Sequence, residues 1–157
     1  MTRPAGQTPV ITLITPCLNR ADFVESAVLS ALPQLGSDCE HLVIDGGSTD
    51  GTLQILARYP HLRVVSEPDQ GMYDALNKGI RLARGEWIVF LNTDDRLGEG
   101  ALDAYRQGIA AGDADVLIGL ADVIENDRVR QVYPLFDTAD PLSNLNRGPA
   151  RINAWCV

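Results

Sequence analysis

Long hydrophobic runs are missing from this sequence, and that absence sets the first limits. No stretch approaches the ~18 consecutive apolar residues that a membrane span needs, so the chain reads as soluble and cytoplasmic. Residues 1–8 hold one basic residue and no apolar core, which argues against a signal peptide. Cysteine is scarce: Cys17, Cys39 and Cys156 are odd in number, far apart and without a C-x-x-C pair. That spacing argues against a disulfide framework or a zinc site. Positive charge is short as well, with 13 Lys and Arg against 21 Asp and Glu, a net charge of −8. An acidic surface repels nucleic acid and anionic lipid. A phosphorylated ligand would need local cations, either Arg, Lys or a bound metal. Two glycine signatures are also absent. There is no G-x-x-x-x-G-K-[ST] phosphate loop and no G-x-G-x-x-G dinucleotide fingerprint.

What the chain does have is alternation. Short apolar, β-branched runs occur at Val10–Thr15, His41–Asp45, Leu62–Ser66, Trp87–Asn92 and Asp115–Leu120. They are nearly continuous in hydrophobicity, as strands covered on both faces are. Helical patterns lie between them, at Asp22–Leu32, Thr52–Arg58, Met72–Arg84 and Glu99–Ala110. Asp22 and Glu25 have capping-box spacing at the start of the first. In the third, Met72, Leu76, Ile80 and Ala83 form the expected buried stripe, and Asp74 can pair with Lys78 at i,i+4. The alternation predicts a mostly parallel sheet flanked by helices, with right-handed crossovers. Arg128–Tyr133 reads as a further strand, 134–149 as loop, and Ala150–Val157 as the start of another apolar element. A domain seldom stops at the start of an element, so one catalytic domain cut short at its C-terminus is expected.

Ligands on such sheets bind beyond the carboxyl ends of the strands, so the residues just after each run carry the most information. They are Thr15-Pro16-Cys17-Leu18-Asn19-Arg20, Asp45-Gly46-Gly47-Ser48-Thr49-Asp50-Gly51-Thr52, Ser66-Glu67-Pro68-Asp69-Gln70-Gly71 and Asn92-Thr93-Asp94-Asp95. Asp94 and Asp95 are adjacent carboxylates at the mouth of a buried strand. They repel one another, and a hard divalent cation relieves that; the same pair also suits a turn or a helix cap. Asp45 can accept a hydrogen bond from a ring N–H. Gly46, Gly47 and Gly51 allow tight turns and close approach of backbone to ligand. Ser48, Thr49 and Asp50 equally suit caps for the next helix. Asp69 suits either a helix cap or a base contact.

In order and spacing these segments resemble the family 2 glycosyltransferases. The matching blocks are Ile14-Thr15-Pro16 with Asn19, V-I-D-G-G-S-T-D-G-T from Val43, S-E-P-D-Q-G-M-Y-D-A-L-N-K-G-I from Ser66, and F-L-N-T-D-D from Phe90. They look nearest to bacterial members that build surface polysaccharides. The resemblance implies a Rossmann-like GT-A fold that binds a nucleotide-diphosphate sugar. It also implies Mg²⁺ or Mn²⁺ and inverting transfer to a saccharide or lipid-linked acceptor. Asp95 would be the metal-ligating aspartate, with Asp94 beside the ribose or the metal. Asp45 would contact the nucleobase, Thr15 and Pro16 would border it, and Asn19 would lie nearby. Asp69 and Asn77 would lie near the nucleotide and the donor sugar. On this reading residues 1–9 are a flexible N-terminus, 10–120 the nucleotide-sugar-binding core, and 121–157 the start of the acceptor-side half. A full-length protein of this kind allows peripheral association with the inner face of the membrane.

The sequence departs from the family in two places. Asp113, Asp115, Asp122, Glu125, Asp127, Asp137 and Asp140 follow the metal motif, but none sits in a block matching the family's catalytic base. The base is therefore unassigned and expected beyond Val157, which leaves a non-catalytic nucleotide-sugar-binding fragment as the alternative. Gly46 also stands where many relatives carry a second aspartate. A sugar-phosphate nucleotidyltransferase shares the general fold. However, it needs a glycine-rich basic loop after the first strand, and Pro16–Arg20 has no glycine.

Overall fold

Residues 11–17 carry no charged side chain, and they form strand β1 (Ile11–Cys17) with every residue buried. The computed structural model describes residues 8–112, 115–117, 119, 121–125 and 128–133. Strand β2 (Cys39–Asp45) runs parallel to β1 on one side, from Ile11 opposite Cys39 to Cys17 opposite Asp45. Strand β4 (Trp87–Phe90) runs parallel on the other side, with Ile14 opposite Phe90. Strand β3 (Leu62–Ser66) adds to β2, giving a four-stranded sheet in the order β3-β2-β1-β4. All of these pairings are parallel, so the four carboxyl ends share one edge.

The helices cover both faces, as strands this apolar require. On one face, α1 (Val24–Ala31) and α4 (Ala101–Ala111) bring Ala27, Ala31 and Leu102 against Ile11, Leu13 and Leu91. Beside them, Leu56 of α2 (Thr52–Leu56) joins Val24, Val28 and Val43. On the other face, Ala75 of α3 (Met72–Leu82) packs on Ile14, Leu42 and Ile44. Each fully buried Val, Leu or Ile side chain among them stabilises the fold by about 1.5–3 kcal/mol.

Three expectations need correction. The buried stripe of α3 does not run through Met72 and Ile80, which are 50% and 45% exposed. Ala75 and Gly79 face the sheet instead. The approach is so close that a Cβ on Gly79 would lie 2.6 Å from Ile14 Cγ2, so only small residues fit the contact. No capping box forms at α1. Its N-cap is Phe23, without a side-chain cap bond, and Glu25 instead accepts from Tyr59 Oη and pairs with Arg58 at 2.9 Å. Finally, the described residues of 115–120 lie outside any strand. The strands that follow α4 are β5 (Ala121–Glu125) and β6 (Arg128–Tyr133), an antiparallel pair in a separate sheet. The second of these is the strand expected at 128–133. The Asp74–Lys78 pair forms at 3.7 Å. Cys17 and Cys39 are free and buried, and Cys156 lies outside the described residues, as do the expected loop at 134–149 and the apolar stretch after it. Among the described residues no helix is long and apolar enough to cross a membrane.

Candidate functional site

At the carboxyl edge the first two loops are stitched together. Asn19 takes a left-handed backbone conformation (φ 52°) that an asparagine tolerates better than most residues. There its amide donates to Ser48 Oγ at 2.7 Å, and its Oδ1 accepts from the Thr49 amide at 2.8 Å. Next, the Arg20 amide donates to Thr52 Oγ1 (2.9 Å) and the Ala21 amide to Asp50 Oδ2 (3.0 Å). The D-G-G-S-T-D-G-T block therefore holds the loop after β1 in place as well as its own turn.

Asp45 lies at the centre of this stitching. It is fully buried at the end of β2. Its Oδ2 accepts from the Gly47 amide (3.1 Å), the Ser48 amide (3.0 Å) and Ser66 Oγ (2.6 Å), and its Oδ1 from Ser48 Oγ. Four donors thus converge on this carboxylate, three on Oδ2 and one on Oδ1, which takes up most of its acceptor capacity. Thr15 is also fully buried, with its Oγ1 2.9 Å from His41 Nε2.

A cleft of about 610 Å³ opens above the ends of β1 and β4, alongside α3. That is a volume typical of small-molecule sites. Pro16 at the end of β1 and Leu18 and Arg20 just after it line the cleft, with Asp69 from the third loop, Tyr73 and Asn77 from α3, and Asn92, Thr93 and Asp94 from the fourth loop. Asp69 is fixed by the Gly71 amide, which donates to its Oδ1 at 2.8 Å. Lys78 ties the same loop down, donating to the Pro68 carbonyl at 2.7 Å and pairing with Glu67 at 3.2 Å.

Asp94 is exposed and, among the described residues, makes no hydrogen bond or ion pair. Asp95 is half-buried. Its amide donates to the Asn92 carbonyl, closing a turn, and its Oδ2 accepts from Asn92 Nδ2 at 3.0 Å. Burial raises the Asp95 pKa above the usual carboxylate value, and the neighbouring Asp94 charge adds to this against the Asn92 bond. This donor set suits a hard divalent cation, which favours oxygen, neutralises adjacent carboxylates and takes its remaining ligands from water and phosphate. Among the described residues no group of three or more His, Cys, Asp or Glu is placed to hold a metal by itself. A protein contribution of one or two carboxylates is what Mg²⁺ or Mn²⁺ sites at phosphates use.

Of the residues singled out from sequence, Pro16, Asp69, Asn77 and Asp94 line the cleft. Thr15, Asn19, Asp45 and Asp95 are not among its lining residues: Thr15 and Asp45 are buried, Asp95 is half-buried and Asn19 is exposed. Sequence reasoning missed Asn92, which orients Asp95. Its position three residues earlier, as the asparagine favoured at the first place of a β-turn, was the available signal.

The family model described as Glycosyl transferase family 2 matches residues 12–152. A PGL/p-HBAD biosynthesis glycosyltransferase of Mycobacterium bovis is 40% identical over 96 residues, 58% of this chain and 38% of that protein. The chondroitin synthase of Escherichia coli is 36% identical over 110 residues, 65% of this chain and 16% of that protein. Among solved structures, S. aureus TarS 1-349 in complex with UDP-GlcNAc superposes with a TM-score of 0.70 at 25% identity. It covers 77% of this chain and 37% of that one. The mannosyltransferase PcManGT of Pyrobaculum calidifontis, in complex with GDP-Man and Mn²⁺, gives a TM-score of 0.58 at 26% identity. It covers 80% of this chain and 38% of that one. The chain spans well under half the length of each of these relatives.

Proposed function

The chain belongs to glycosyl transferase family 2 and has its GT-A fold, and from that premise we propose that it binds a nucleotide-diphosphate sugar in the cleft at the carboxyl edge. On this reading residues 10–120 are the donor-binding core and 121–157 open the acceptor-side half of one domain. The full-length protein is an inverting, cytoplasmic transferase that passes the sugar to a saccharide or lipid-linked acceptor, at times from the inner membrane face. One observation carries the reading: Asp94, exposed and without a hydrogen bond or ion pair among the described residues, lies on the same cleft as Pro16 of β1, Asp69 of the loop after β3 and Asn77 of α3.

The roles follow from position. Pro16 borders the base, and Asp45 meets a ring N–H when the hydroxyl of Ser48 or Ser66 gives way to it. Thr15, through its hydroxyl against His41, and Asn19, through its amide and its side chain, are props for β1 and for its loop beside the base. Asp69 and Asn77 face the ribose and donor sugar. Asp95, oriented by Asn92, and Asp94 would hold Mg²⁺ or Mn²⁺. When bound, that cation supplies Lewis-acid stabilisation for the diphosphate as negative charge grows on it. Inversion also requires a base opposite the leaving group to take the acceptor's proton. The described carboxylates after Asp95 include Asp115 and Asp122, and neither lines the cleft. That favours, as a second reading, a chain that binds donor without transferring it on its own.

Isothermal titration against UDP-, GDP- and dTDP-sugars, with and without Mn²⁺, tests the proposal. One donor should bind only with the metal, and Asp95→Ala should abolish that binding. Equal affinity with and without metal would remove the basis for the site. Incubating the bound donor with acceptor saccharides separates transfer from binding alone.

A further inference from the structure

We propose that Arg20 is the side chain with which this protein grips the diphosphate of the donor. The assignment rests on the donor-binding reading above and adds to it the cation that an acidic chain has to supply.

Net charge is −8, and Asp69 and Asp94 lie on the cleft itself. A diphosphate entering there meets negative potential unless a cation stands by. Arg20 is the one Lys or Arg among the described cleft-lining residues. Its backbone is held firmly. The amide donates to Thr52 Oγ1, and the carbonyl accepts from the amides of Phe23 (3.0 Å) and Val24 (2.9 Å). Its guanidinium, by contrast, is uncommitted, with no hydrogen bond or ion pair among the described residues. Arg58, Arg63, Lys78 and Arg106 are each engaged with carboxylates. An arginine held at its root and free at its tip, on a cleft of opposite charge, is placed for an anionic ligand.

Arg20 and the metal motif follow neighbouring strands. Arg20 follows the end of β1 by three residues, and Asp94 follows the end of β4 by four. These strands are neighbours, about 4.8 Å apart. Arg20 and Asp94 also line one and the same cleft, so a diphosphate held there through a cation at Asp94 and Asp95 is open to the guanidinium. The guanidinium fork matches two phosphate oxygens at once, which a lysine ammonium cannot do. Its positive charge already bears on the Cys17 thiol at the end of β1, in the direction opposite to the effect of burial.

The test compares nucleotides with their nucleosides in Mn²⁺ buffer, using UDP against uridine and GDP against guanosine, with inorganic pyrophosphate as a base-free probe. Wild-type protein should bind one diphosphate, and Arg20→Gln should weaken it roughly ten- to a hundredfold, the range for losing a charge-assisted bond. Affinity for the matching nucleoside should stay within about twofold, because Arg20 takes no part in base contacts. Arg20→Lys should fall between the two. Residue 20 is exposed, so melting temperature should be unchanged in both variants; a comparable loss in nucleoside binding would mark a merely structural role and overturn the assignment. Unaltered diphosphate affinity in Arg20→Gln overturns the assignment while leaving the donor site standing. Failure of wild-type protein to bind any diphosphate overturns the donor-binding reading itself.

Discussion

Gly46 and Asp69 meet so closely that a Cβ on residue 46 would lie 2.5 Å from Asp69 Oδ2 and 3.0 Å from its Cγ. The missing side chain at 46 is what lets the Asp69 carboxylate lie against the loop of Asp45. Gly46→Ala should therefore push Asp69 aside without much effect on the fold, since the atoms it strikes end a flexible side chain. Donor affinity should fall about three- to tenfold, the worth of one displaced hydrogen bond. Asp69→Ala should do the same, and the double variant should be no worse than either single one. Titration of the three variants checks this, and additive losses would separate the two residues.

The Asp95 carboxyl works against the fold that holds it. Burial raises its pKa, so ionisation is harder in the folded chain than in the unfolded one. The folded state then binds the proton more tightly, and the stability that proton supplies is lost as pH rises through the raised pKa. At neutral pH Asp95→Asn should raise the melting temperature by about 1–3 °C, the shift from a fraction of a kcal/mol in a domain of this size. The same variant should lose Mn²⁺-dependent donor binding. Thermal melts of metal-free protein, paired with titrations, measure both effects.

His41 has the opposite sign. Burial, aided by the charge of His61, pushes its imidazole down from 6.5 to about 3, and among the described residues its Nδ1 has no hydrogen-bond partner. Below pH 6.5 the unfolded chain takes up a proton that the folded chain refuses. The stability from this group is complete above pH 6.5 and declines as pH falls towards 3, by at most about 1.4 kcal/mol per pH unit. His41→Gln should flatten that part of the slope between pH 7 and 5. Urea midpoints at the two pH values give the comparison.

Gly79 sets the position of the cleft's α3 wall. Gly79→Ala brings a methyl group to 2.6 Å from Ile14 Cγ2 in a fully buried contact. The helix-propensity gain of about 1 kcal/mol should be outweighed by overpacking of about 1–3 kcal/mol. Net destabilisation of around 1 kcal/mol in urea unfolding is expected.

The sheet is legible in the sequence because its strands are apolar on both faces. Ile11–Cys17, Cys39–Asp45, Leu62–Ser66 and Trp87–Phe90 stand out against polar loops, and period and composition agree there. The side of α3 that meets the sheet is not legible, because a glycine at 79 decides it by how close it lets the helix come. Periodicity weights large apolar residues such as Met72 and Ile80, which the structure leaves around the cleft. Pro16, Asp69 and Asp94 could be placed on the rim by counting from strand ends, while Asn77, inside α3, came only with the family resemblance. The burial of Asp45 under Ser48 and Ser66 could not, since Ser66 comes from the next strand and joins it only through register. Arg20 stands in the sequence at the end of the run after the first strand, but that its guanidinium has no partner among the described residues is a fact of three dimensions.

Paramagnetic broadening by Mn²⁺ in amide spectra, recorded with UDP or GDP present, bears most directly on whether a cation and a diphosphate share the carboxyl edge. Signals of residues 92–95 and 18–20 should broaden first, while those of Ile11 and Cys39, at the opposite ends of their strands, stay sharp. Broadening centred on Ile11 and Cys39, or spread evenly over the acidic surface, would contradict the site.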